Sequence, residues 1–465
     1  MAAWSSITVP RTKPRLMRLS LSLLTLALVT APLAAQGGSI AVRAGKVMHA
    51  DGSVTENGTV VIENGRITAV GGADLEIPFD VILKEMPEAT IFPGFLEAHS
   101  SSGMDRPNEN VPVAPFLNVK DSIDPVSFYF EDALRGGTVA IGIMPGNNTI
   151  IGGHGRVVAP SGMTIEAMTI DDGMGMKMAV GPMRGWSRAS QLLELRETIT
   201  KLERSLHKLG QAKLDGEETK SDRKKAGETI ADEEDDGDAW DSQGGFVRYG
   251  EDFPGKDMIA EEDLDDAQRG MVSILNGDER LWIWAPSASD IAHTKEWLEQ
   301  TGLTENAVLV VSSEAWKAAD MLAEMGRPVV ISGDLWHVER DPVSWKEQRT
   351  FAPLSLHEAG VSFALSSVPG RMGPDRLAYQ ASLCIREGVP RQVALASVTS
   401  NPAKFWGLEE EIGGFLPGAE GNFVIFDGDP LDATSRVLEV WLHGSQAYDR
   451  ATDRRLERLE EGRLK

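Results

Sequence analysis

Glu97, His99 and Ser101 stand at alternate positions in the stretch Phe92-Pro93-Gly94-Phe95-Leu96-Glu97-Ala98-His99-Ser100-Ser101. Residues two apart on a β-strand point to one side, so a carboxyl, an imidazole and a hydroxyl would share one space at a strand end. An imidazole and a carboxylate so placed can hold a divalent metal or pass a proton. Serine at the third position is a poor ligand for a zinc-type ion, which prefers imidazole, thiolate and carboxylate. Three further residues could join a replacement acid/base or metal cluster. His154 lies in the glycine-rich run Ile150-Ile151-Gly152-Gly153-His154-Gly155, and Asp334 and His337 follow the apolar run Val329-Val330-Ile331. Each also reads as an ordinary hydrogen-bonded loop residue. Serines 100, 101, 102, 312, 313, 366 and 367 fall at expected strand ends, but no Gly-x-Ser-x-Gly elbow accompanies them. The only cysteine, Cys384, sits in the helical-face pattern Ala381-Ser382-Leu383-Cys384-Ile385 and reads as a buried, inert thiol.

The elements that must position these groups alternate along residues 93–400. Strand-like runs at 138–144, 281–284, 307–311, 328–331 and 361–365 are separated by helical segments such as Ala315 to Glu324 and Asp375 to Glu387. That alternation is the pattern of βα units around a parallel sheet. Both chain ends read differently, as short strands with turn punctuation: 40–47, 59–63 and 66–70 at one end, 421–428 and 437–444 at the other. Asn64-Gly65 between two β-rich runs signals a two-residue hairpin. From about 208 to 266 the rhythm breaks into Asp, Glu, Lys and Gly, centred on Asp232-Glu233-Glu234-Asp235-Asp236. Such a composition predicts a solvated insertion, and its spacing does not match a calcium loop. Trp282, Trp284 and Trp336 concentrate in the second half, and at a barrel mouth they would fill the cavity or form an apolar platform for a ligand.

Arg11, Lys13, Arg15 and Arg18 precede the apolar run Leu19 to Val29, and Ala31-Pro32-Leu33-Ala34-Ala35-Gln36 follows with small residues. The run is short for a bilayer span and has the flanks of a secretory signal, so residues 1–35 are expected to be removed on export to the periplasm or the outside, with no stable membrane insertion afterwards. The chain carries a formal charge of −24, and loss of that segment makes it −28. A field of that sign excludes nucleic acid as a partner.

The Pro93-Gly94 stretch resembles the first barrel strand of the amidohydrolase superfamily, imidazolonepropionase-like branch, where Pro-Gly-hydrophobic-hydrophobic-Asp-x-His-x-His is usual. Further islands agree in order: Asn401-Pro402-Ala403-Lys404, Gly407-Leu408, Ile412-Gly413, Leu416-Pro417-Gly418 and Asp427-Gly428-Asp429-Pro430. The resemblance implies a TIM-like (β/α)8 metal-dependent-hydrolase barrel over 93–404. It also implies a small β-sandwich built from both chain ends, 38–92 and 405–455. It further implies ligands that this chain lacks. The second histidine of the first strand is Ser101, and the lysine of an intermediate strand falls at Ala159. The His-Ala-His of the next falls at Trp284 and Pro286, the following histidine at Ser313, and no aspartate stands at 364–369. His99 is then a vestigial ligand with no cofactor to hold. The expectation is a catalytically silent member acting as a binding protein, its ligand a small amide-like molecule, or as the partner of an active relative. The alternative is a hydrolase of C–N bonds in cyclic or linear amides, with zinc or another divalent metal in an atypical site.

Overall fold

Eight strands form the central sheet in the order Phe95–Ser100, Thr138–Ile143, Ile151–Val158, Thr169–Ala179, Leu281–Trp284, Ala307–Val311, Val329–Ser332 and Phe363–Ser366, which is also their order along the chain. They are referred to below as the first to eighth barrel strands. The computed structural model describes residues 38–223, 253–367 and 377–463. Several barrel strands, including Ala307–Val311 and Thr138–Ile143, are buried along their whole length, because a barrel strand is covered by side chains inside and helices outside. That explains their unbroken apolar sequence.

The first and eighth strands meet without a backbone ladder among the described residues. Ser366 Oγ donates to the His99 carbonyl, and the Ser367 amide donates to Glu97 Oε1 at 2.7 Å. Lower down, the turn at Ser397 and Val398 bridges both strands, accepting from Leu365 N at 2.9 Å and Leu96 N at 2.8 Å.

One barrel strand departs from the expected βα repeat. The third runs antiparallel to the second and to the fourth. Its connection to the second, residues 144–150, is too short for the crossover that a parallel pair requires. The barrel is therefore seven parallel strands and one reversed strand.

The two chain ends do meet, as one continuous eight-stranded sheet where the sequence suggested a sandwich. Phe423–Phe426 pairs antiparallel with Leu83–Phe92, placing Val424 opposite Phe92 and Ile425 opposite Ile91. The Asn64-Gly65 turn forms as read: Glu63 pairs with Arg66, and the two turn residues have φ of 53° and 79°, the doubly positive pair of a type I′ turn.

The acidic stretch also differs from expectation at both ends. Helix Arg188–Arg223 runs well past Lys208, and Leu192, Leu195, Ile199, Leu202 and Leu206 form its buried stripe at three- and four-residue spacing. The returning chain packs on it, with the Phe253 ring stacked on His207 at 4.1 Å and Lys213 bonded to Asp263 at 2.5 Å. Residues 224–252, with the acidic centre, lie outside the described residues. So do residues 1–37, with the expected signal. Among the described residues no helix is long and apolar enough to cross a membrane.

Candidate functional site at the barrel mouth

His99 lies near the end of the first strand and is 3% exposed. Its Nε2 accepts from Lys177 Nζ at 3.0 Å. Lys177, on the fourth strand, is fully buried, and burial pushes its amine down to about 7. Burial, with the adjacent Lys177 charge, likewise holds the His99 imidazole well below its ordinary range. The Trp282 ring lies 6.2 Å from the His99 ring, and its Nε1 donates to the Met174 carbonyl at 2.8 Å. Glu97, two residues before His99, is fully buried as well. Burial pushes its carboxyl up to about 7, against the opposing pull of hydrogen bonds from Ser367 and Ser366. Its Oε2 has no hydrogen-bond partner. Tyr129 closes the cluster by donating to Ser100 Oγ at 2.8 Å.

Above this cluster opens a cleft of about 510 Å³, lined in part by His99, Ser101, Trp284, Ser332 and Ser367. Trp284, where a histidine was sought, forms part of the cleft wall. Pro286 packs against Gly181, where an added Cβ would come within 2.4 Å of the proline ring. Ser313 opens the 3₁₀ turn Ser313–Ala318, whose cap is Ser312. Trp336 packs on Phe351 at 5.0 Å instead of lining the cleft.

The candidate cluster of His99, His154, Asp334 and His337 is not assembled. His154 Nε2 pairs with Glu279 Oε1 at 3.1 Å and its Nδ1 lies 3.3 Å from the Leu117 carbonyl, and the Glu279 contact raises its basicity. Asp334 is exposed, outside the cleft lining, and His337 faces Glu339 at 3.5 Å. Of the five candidates, only Glu97 and His99 belong to the buried cluster. Among the described residues no three His, Cys, Asp or Glu side chains converge as a metal site. Cys384 is buried, and burial pushes its thiol up to about 12, as an inert thiol requires.

The donor set does not fit a zinc ion. A metal on Nε2 would need the lone pair that Lys177 now occupies. Glu97 Oε1 is already held by the Ser367 amide, which leaves Oε2 as the one carboxyl oxygen of Glu97 without a partner. Catalytic zinc takes three protein ligands, and the neighbouring strand ends offer Ser101, Trp284 and Ser313.

Lys177 is the residue that the sequence reading missed. The lysine was sought at Ala159, which sits just beyond the reversed third strand. Its strand, Thr169–Ala179, was not among the strand-like runs read from the sequence. The signal was nevertheless present: Met174, Met176 and Met178 alternate and are all buried, a period-two pattern that leaves Lys177 on the opposite face.

Comparison with known proteins agrees with this architecture. Residues 282–448 match the sequence profile of the amidohydrolase family. The amidohydrolase tasK of Hapsidospora irregularis is 28% identical over 94 residues, a match spanning 20% of this chain and 10% of that protein. The crystal structure of an amidohydrolase from Thermotoga maritima superposes with a TM-score of 0.67 at 24% identity, covering 88% of this chain and all of that one. This chain therefore has the amidohydrolase fold, and its segment 282–448 carries that family's sequence pattern.

Proposed function

We propose that the protein is an exported member of the amidohydrolase family that does not use the family's metal-assisted hydrolysis, and that it acts as a binding or partner subunit. One observation carries this reading: Lys177 Nζ, 3.0 Å from Nε2, occupies the only imidazole lone pair at the strand ends. Metal-assisted hydrolysis needs an ion to acidify water and a base to move its proton. Here the imidazole is committed to an amine and the carboxyl is held by a backbone amide. Export is supported by the basic region, apolar run and small residues of 1–36. The alternative, a hydrolase of amide C–N bonds, has the same pair in its favour. Two buried nitrogen bases of lowered basicity side by side are unusual in a purely structural core.

Elemental analysis of the purified mature chain separates the two. The expected result is no stoichiometric zinc or other transition metal, unchanged in His99→Ala. One tightly bound metal per chain, lost on His99→Ala together with hydrolysis of an amide substrate, would reverse the assignment.

A further inference from the structure

After the seventh barrel strand the chain leaves the barrel as an arm. Trp336–Arg340 pairs antiparallel with Glu347–Phe351, and among the described residues no other strand pairs with either. The first of these strands is anchored: Glu339 bonds to Lys317, and the His337 ring lies 6.4 Å from the Trp316 ring. The second presents a bare edge, with Glu347, Gln348 and Arg349 all exposed. Which of its backbone groups face outward follows from the two ends of the arm. Ala352 N–H donates to the Leu335 carbonyl at 3.0 Å, and Asp341 N–H donates to the Lys346 carbonyl at 3.0 Å. Bonded pairs recur at every second residue of an antiparallel ladder, so Gln348 and Thr350 face the first strand. Glu347 and Arg349 therefore turn their N–H and C=O groups outward, and such an edge is a template for another strand. The tip is apolar as well, with Val343 87% and Trp345 71% exposed. Trp345 holds a φ of 58°, a left-handed conformation that favours glycine, so a bulky aromatic is kept there against its backbone preference.

We infer that this edge joins two copies of the chain about a two-fold axis at Gln348, the two arms forming one four-stranded sheet. Charge selects both the partner and the register. An antiparallel pairing centred on Gln348 sets Glu347 of each copy opposite Arg349 of the other, at the outward-facing positions. Centring on Glu347 or on Arg349 would set like charges opposite each other, which is destabilising. Glu347 meets Arg340 within its own arm at 2.6 Å, whereas Arg349 makes no ion pair among the described residues. The same patch meets itself, as a two-fold interface requires. The formal charge of −24 opposes self-association in general, but the run Trp345 to Phe351 carries two cations and one anion. In this register the tip of each arm, with Val343 and Trp345, lies beside the base of the other, which gives those side chains cover. The inference goes beyond the reading of the barrel mouth and stands whether or not the chain is silent.

Sedimentation velocity of the mature chain should show a monomer–dimer equilibrium at tens of micromolar, as suits an interface of one strand pair. Reversing one charge turns two attractive pairs into two repulsive ones, so Arg349→Glu and Glu347→Lys should each weaken dimerisation about tenfold or more. Mixing the two variants should restore it, because every charge pair across the axis is then of opposite sign. Gln348→Cys reads the register. A pair without mutual backbone bonds brings its Cα atoms to about 4.5 Å, within reach of a disulfide, so mild oxidation should cross-link two chains. Cys384 is buried and does not compete. Thr350→Cys stands several residues from its counterpart and should remain uncross-linked. A chain monomeric throughout, a dimer that survives Arg349→Glu, a mixture no more dimeric than its components, or equal cross-linking from the two cysteine variants would each overturn the inference.

Discussion

Deleting residues 412–465 should unfold the amino-terminal strands as well as removing the carboxyl-terminal ones. Phe423–Phe426 lies inside the terminal sheet, between Val437–Leu442 and Leu83–Phe92, and its four residues are all buried. Each large apolar side chain removed from such a place costs roughly 1.5–3 kcal/mol. Four together approach the 5–15 kcal/mol that hold an ordinary domain folded. The deletion also takes away backbone partners of the first hairpin: the Ala419 carbonyl that accepts from Ile67 N, and the Gly418 and Gly421 amides that donate to Ile67 and Gly65. Hydrogen exchange over residues 40–70 should rise toward the unprotected rate. Protection unchanged from the full chain would show that the two ends fold independently.

The buried cluster should give the protein two opposed pH dependences that meet near neutrality. The Glu97 carboxyl is pushed from 4.5 up to about 7. Between those pH values the folded state holds a proton that the unfolded state has released, so this group's contribution to stability falls as pH rises through that window. Lys177 is pushed from 10.5 down to about 7. Between 7 and 10.5 the unfolded state is the one holding the extra proton, so stability rises with pH there. The full shifts correspond to about 3 kcal/mol for Glu97 and about 5 kcal/mol for Lys177. Glu97→Gln keeps an acceptor for the Ser367 amide and cannot ionise. Its stability relative to the parent should therefore match below about pH 4.5 and grow to a plateau above about pH 7. Lys177→Met should show its largest relative gain below about pH 7 and lose it progressively toward pH 10.5. Urea midpoints across pH 4–11 read both curves. Variant and parent profiles that run parallel would mean that neither group is held in its uncharged form.

Much of the barrel was legible because its strands are short apolar runs with clear breaks. Leu281–Trp284 and Ala307–Val311 lie where their sequences place them. The reversed strand was not legible, since Ile151–Val158 carries the same apolar pattern whichever way it runs, and only the length of its connection fixes its direction. The long helix was obscured for a different reason. Its leucine stripe starts within ordinary sequence and passes without a break into acidic composition near Lys208, and composition took precedence over period. At the site, the residue types at Ser101, Trp284, Pro286 and Ser313 could be read one position at a time. The contact between Lys177 and His99 could not, since it joins strands 78 residues apart whose relative height depends on the barrel's stagger. Asp334 and His337 were placed near the mouth by order alone. His337 belongs to a hairpin arm, in which Trp336–Arg340 pairs with Glu347–Phe351 apart from both large sheets, and Asp334 lies in the connection that leads to it from Ser332.

The join between the first and eighth strands makes this barrel a clasped ring rather than a continuous one. Every other neighbouring pair is stitched by a run of repeated backbone bonds, whereas this pair is buttoned by Ser366 to the His99 carbonyl, Ser367 to Glu97 and the turn at Ser397 and Val398. A ring breathes at its clasp. The amides of Leu96 and Leu365, which bond to that turn, should exchange through small openings that leave Leu309 in the opposite wall protected. Two of the clasp's fastenings, at Glu97 and His99, are the residues that read first as chemistry. The His99 fastening is its backbone carbonyl while its imidazole faces Lys177, so it is a change freeing the Glu97 carboxyl that would also loosen the ring.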